Sequence, residues 1–138
     1  MKPLVEFGDP ETLLRSYLEA VLADETPVPS VSTEFPDQLR DNQRRVQIQL
    51  ETSDAADWPV TERAQVRVTV HAPSTRRSEV KSLASRVQGH LYRHPGSAEL
   101  AACIPMLGRS SVVTDPTTHN LMVWFLCRAI LKPIPVSA

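Results

Sequence analysis

Apolar residues recur along the chain with two clear periods, and those periods predict its elements. Leu13, Leu14, Tyr17, Leu18, Val21 and Leu22 fall at helical spacing and form one stripe. Asp9 stands where an N-cap side chain accepts an unpaired amide, Pro10 suits the first helical position, and Glu11 meets the positive end of the dipole. Asp24 and Pro27 close the element, so the spacing predicts a helix over residues 9–24. Val28 to Pro36 favours extended backbone, and Pro29 and Pro36 confine it to a sheet edge or a strand end. Asp37 to Arg44 is polar and reads as a loop. Val46, Ile48 and Leu50 then alternate with Arg45, Gln47, Gln49 and Glu51, and Val66, Val68 and Val70 alternate with Arg67, Thr69 and His71. Both stretches are predicted strands with one face on a core.

A second helix is predicted over residues 75–93, capped by Ser74 or Thr75, with Val80, Leu83, Ala84, Val87 and Leu91 as its buried stripe. Arg93-His94-Pro95-Gly96 stops it. A short helical turn over 97–103, a strand over 107–114 and a turn at Asp115-Pro116-Thr117-Thr118 come next. The apolar run Leu121 to Cys127 predicts a strand over 119–131 buried on both faces. Pro133 and Pro135 end it, leaving 132–138 as a short C-terminal tail. The order α-β-β-β-α-β-β predicts an α+β fold: a mainly antiparallel sheet with two packed helices, in one domain over 1–138. Its core is expected to hold Leu14, Leu18, Val46, Ile48, Val68, Val70, Leu83, Val87, Val123 and Phe125.

Composition narrows the classes. A chain of 138 residues buries roughly 68% of its unfolded surface, so it needs no disulfide or metal to hold a core. Lys+Arg 15 against Asp+Glu 16 gives a net charge of -1, which recommends no overall attraction to nucleic acid. Cys103 and Cys127 are too few for a secreted disulfide scaffold and read as reduced, packed thiols. The longest apolar run has seven residues, far short of the roughly 20 that cross a bilayer. The first residues, Met1-Lys2-Pro3-Leu4-Val5-Glu6, hold no apolar signal segment, and a soluble chain made inside the cell is expected.

Enzyme signatures are missing. No P-loop, G-x-G-x-x-G, G-x-S-x-G or H-E-x-x-H occurs, and the 4 glycines are scattered. His90 and His94 stand at i and i+4 as a possible metal pair, but no third ligand follows at motif spacing. Cys127 sits in an apolar strand, where burial dulls a thiol. Asp54 and Asp57 could serve as acid and base, yet a Pro- and Ala-containing loop makes them a solvated acidic surface. No catalytic residue, cofactor or metal is expected, and a structural or interaction protein is the reading that remains.

Two surfaces stand out. Ser78, Ser82, Ser85 and Gly89 line the back of the second helix, with Arg86 and Arg93 on one side and Arg77 and Lys81 on the other. Small residues on a solvated helix back suggest a partner that packs closely. The stretch 51–62 reads as a long loop with four acids (Glu51, Asp54, Asp57, Glu62), no base, and Trp58. Segregated acidic and basic patches suit head-to-tail association of copies. The interface candidates are Asp54, Asp57, Trp58, Arg77, Lys81, Ser82, Ser85, Arg86 and Gly89.

The layout resembles the tail terminator (tail completion) proteins of bacteriophages with long, non-contractile tails. The resemblance rests on the helix Leu13-Leu14-Arg15-Ser16-Tyr17-Leu18, the Pro-containing extended segment, Arg45-Val46-Gln47-Ile48-Gln49-Leu50, the variable loop and Arg67-Val68-Thr69-Val70-His71. It continues through the helix from Glu79 to Leu91, the turn Asp115 to Thr118, and a last strand ending in a basic residue as Leu126-Cys127-Arg128 does, and covers residues 5–131. It implies a non-enzymatic virion protein that caps the head-proximal end of the tail tube as a hexameric ring. Such a ring would stop the major tail tube protein from polymerising and present a docking surface to head-completion (connector) proteins at the neck. DNA would only pass through its channel, and no membrane is involved. The net charge of -1 agrees, because phosphate-binding cations would retard transit. A head–tail connector or neck adaptor remains an alternative, as does a small α+β enzyme or ligand-binding domain with a pocket lined by His71, His119 and a carboxylate.

Overall fold

Valines at every second position make the sheet's centre. Val66, Val68 and Val70 of β4 (Glu62–Ala72) point to one face, and β4 is flanked by β3 (Arg45–Asp54) and β7 (Leu121–Leu131), both antiparallel to it. The computed structural model describes residues 2–106 and 108–136. In chain order its elements are β1 (Val5–Glu6), α1 (Pro10–Val21), β2 (Ser30–Ser32), β3, β4, α2 (Arg77–Tyr92), β5 (Leu100–Pro105), β6 (Val113–Thr114), β7 and β8 (Ile134–Pro135). The main sheet runs β2-β3-β4-β7-β5, with β6 also on β7. Its pairings are antiparallel except β2 on β3, so the protein is an α+β fold with a mainly antiparallel sheet and two packed helices.

Both helices lie on the face that carries Val46, Ile48, Val68, Val70, Val123 and Phe125. Leu14 and Leu18 of α1, and Leu83 and Val87 of α2, are buried against them, as the two stripes predict. Removing this apolar surface from water is the main driving force for the layer. Asp9 caps α1, its side chain accepting the Glu11 amide at 3.1 Å, with Pro10 at the first position. The expected cap of α2 is absent: Arg76 holds that position and no side chain caps it, Ser74 and Thr75 lying outside.

Five readings change in three dimensions. The stretch 51–62 is mostly hairpin, because β3 continues through Asp54 and only 55–61 connect it to β4. Leu50, set on the core-facing side by alternation, is 40% exposed although it still pairs in register with Val66, and the strand's register then shifts between Leu50 and Thr52. The expected turn of helix at 97–103 is strand β5, which pairs with the far half of β7; only Ser97, whose Oγ accepts the Leu100 amide at 3.1 Å, makes a turn. Within 107–114 only Val113–Thr114 is strand, and Leu107 lies outside the described residues. The C-terminal stretch is not wholly a tail, as Ile134 and Pro135 pair with Glu6 and Val5 and tie the two ends of the chain together.

Candidate interaction surfaces

The back of α2 is open. Ser78, Ser82, Ser85 and Gly89 are exposed, and a Cβ built on Gly89 would meet nothing within 4 Å. The cations beside them have different fates. Arg86 bonds Glu25 through two nitrogens, at 2.9 and 2.8 Å, and this bond raises its pKa. Arg76 bonds Asp41 at 2.9 and 2.5 Å and Glu79 at 3.2 Å. Arg44 is 5% exposed, gives hydrogen bonds to the Asp41 and Gln43 carbonyls at 2.8 and 2.7 Å, and pairs with Glu79. This network stitches the 37–44 loop to the start of α2. The Arg76 hydrogen bond holds Asp41 below the usual carboxylate range, and the Arg44 bond does the same for Glu79. A shallow cavity of about 220 Å³ lies over it, lined by Thr26, Pro27, Ser82 and Arg86 among others.

Arg77 and Lys81, one turn apart, form no ion pair among the described residues and border a groove of about 330 Å³. The groove's other wall is Arg109, Ser110, Ser111 and Val112, and Val123 lies at its base. Arg109 donates to Gln88 Oε1 at 2.5 Å, and Ser110 is pinned to β7 by its amide on the Trp124 carbonyl at 2.8 Å. The groove thus holds three cations and no carboxylate. Nothing in the pattern of 107–114 marks Arg109, which only the fold sets beside α2.

At the far end of the sheet the hairpin tip is tight. Trp58 and Val60 amides bond the Ala55 and Asp57 carbonyls at 3.0 and 2.8 Å, leaving Trp58 36% and Val60 69% exposed. The acids here are partly answered from β4. Arg63 bonds Asp57 at 2.5 Å, and Arg67 bonds Glu51 at 2.5 Å while lying 4.5 Å over the Trp124 ring. Among the described residues Asp54 forms no ion pair; its side chain accepts the Ala56 amide at 2.8 Å. These bonds give Asp54 and Asp57 structural work, and they do not form an acid–base pair.

The other candidate chemistry is similarly occupied. His94 Nδ1 accepts the Gly96 amide at 2.9 Å, and its ring packs edge-on against Tyr17, 4.4 Å between centroids. No group of three potential metal ligands occurs among the described residues. Cys103 and Cys127 are free and buried; donation of the Cys127 thiol to Cys103, together with burial, pushes the Cys127 thiol up. His71 is buried, Nε2 lies 2.9 Å from Gln47 Oε1, and Phe35 packs edge-on at 5.1 Å. Desolvation, aided by Arg45 and opposed by Asp115, lowers its pKa to about 4. His119 is exposed at the turn with φ 62°, whereas His71 is buried. Among the described residues no helix is long and apolar enough to cross a membrane.

No protein-family model matches the chain, and no curated protein matches it. A solved structure does. A chain of the virion of a native gene transfer agent particle is similar at 14% identity with a TM-score of 0.58, over 89% of this chain and 94% of that one. At that identity the likeness establishes a shared fold across nearly the full length of both chains.

Proposed function

We propose that this chain is a structural virion protein that caps the head-proximal end of a phage tail tube as a closed ring of six copies. The ring would terminate the major tail tube protein and offer head-completion proteins a docking surface, with DNA passing through. The observation that carries the reading is the end-to-end fold likeness to a virion chain, whose 89% and 94% coverage leaves no large unmatched unit on either side. The layout resemblance to tail terminators supplies the finer placement. The occupied state of the histidines, thiols and paired acids supports a structural over a catalytic role.

Ring closure requires two different patches on each copy. The open back of α2, with Ser82, Ser85 and Gly89, is one candidate, and the hairpin tip with Asp54, Asp57 and Trp58 is the other. The deciding experiment is electron microscopy of particles made without this gene. Overlong tail tubes are expected. Unattached tails of normal length would move the protein to the connector, and unaltered particles would refute the virion role.

A further inference from the structure

The basic groove between α2 and residues 109–112 has no work inside its own chain. Arg86, Arg76 and Arg44 are all committed to carboxylates of the same molecule, whereas among the described residues Arg77 and Lys81 pair with none and Arg109 bonds the neutral Gln88. Cations crowded beside one another repel, and a carboxylate-bearing partner relieves that repulsion. Half-buried Val112 supplies apolar surface between them, above a Val123 that is buried. We propose that this groove receives the acidic hairpin tip of a second copy of the chain, with Trp58 over Val112, and Asp54, together with Asp57 beside its own Arg63, against Arg77, Lys81 and Arg109. The inference rests on the ring reading and assigns its contact surfaces.

Two features favour this occupant. The first is complementarity of kind: the tip sets an exposed aromatic between acids, and the groove sets apolar surface between cations. A large aromatic gains most when its neighbours exclude water around it. The second is distance. Val123, at the base of the groove, pairs with Val70, and the hairpin leaves the sheet at Glu62, eight residues along β4. At the rise of an extended strand that is roughly 27 Å. A tip held by its own hydrogen bonds cannot fold back over that span, so it meets the groove of another molecule. Contact of one end with the opposite end of a neighbour is heterologous and closes into a ring when the rotation allows. The α2 serine stripe then borders the contact, and the ion pairs set register and encounter rate more than total affinity.

The test uses two full-length variants in sedimentation velocity at low and high salt. One is Arg77→Glu with Lys81→Glu; the other is Asp54→Lys with Asp57→Lys. All four side chains are exposed, and the bonds of Asp57 to Arg63 and of Asp54 to the Ala56 amide are confined to the hairpin tip, so both variants should keep the parent's fold, checked by circular dichroism. The parent should assemble, and each variant alone should lose association by at least about tenfold per reversed contact. Mixed one to one, the variants should assemble again, since each reversed tip then finds a reversed groove and each native tip a native groove. Rescue on mixing requires tip and groove to touch. A parent that assembles together with variants that assemble unaided, or variants that fail even when mixed, overturns the groove while leaving the ring. If the reversed groove loses binding to a DNA duplex but still assembles, the groove is a nucleic-acid surface and the proposal is likewise wrong. A parent that stays monomeric at all concentrations overturns the groove and the ring together.

Discussion

Lowering the pH from 7 to 5 should destabilise this protein chiefly through one side chain, His71. The imidazole is fully buried behind Phe35, its Nε2 faces Gln47, and its Nδ1 has no partner among the described residues. Charging it would place a cation out of water and beside Arg45, with Asp115 giving partial compensation, which is why its pKa falls to about 4. In the unfolded chain a histidine titrates near 6.5. Between those values the unfolded state binds the proton and the folded state does not, so stability falls as pH drops and is constant above the unfolded value. At pH 5 the loss attributable to this residue is about 2 kcal/mol, growing to about 3 kcal/mol by pH 4. The carboxylates Asp41, Glu79 and Asp115, all held low, change their contribution mainly below that window. His94 is also held low by burial and shifts stability in the same direction, so the comparison must be with a variant. Urea unfolding at pH 7 and pH 5 on the parent and on His71→Gln isolates the effect. The parent should lose about 2 kcal/mol more than the variant between the two pH values. Equal losses would refute the reasoning and mean that the imidazole is solvated or partnered in the folded state.

Three further outcomes are expected. Leu18→Ala, at a fully buried position of α1, should cost about 3 kcal/mol and lower Tm by roughly 10 °C in a thermal melt. Gly89→Ala meets no atom within 4 Å and adds helix propensity, so it should raise monomer stability by about 0.5–1 kcal/mol in urea titration, while Ser85→Trp with Gly89→Trp should leave the fold intact and impair ring assembly if a neighbour packs on that face.

Much of the architecture was legible along the chain because its signals are local. Asp9-Pro10 starts α1 through a cap that spans two residues, and the alternating valines of β3 and β4 declare which face is inward wherever they sit. All ten expected core residues are buried for that reason. Local signals failed where pairing decides conformation. Ala101, Ala102 and Cys103 suit a helical turn as well as a strand, and the open edge of β7 makes them β5. The acids of 51–62 looked unanswered because their bases, Arg63 and Arg67, belong to the next strand and reach them only through the antiparallel register. Helical projection marked Arg77, Lys81 and Arg86 alike as surface cations. Which of them stays unpaired depends on Glu25, brought to Arg86 by the packing of α1 beside α2, and on Arg109, brought to the same groove by its bond to Gln88. Periodicity records which way a side chain points relative to its own element. The partner it meets there is contributed by residues distant in the chain, so charge balance and grooves exist only once the layers have packed.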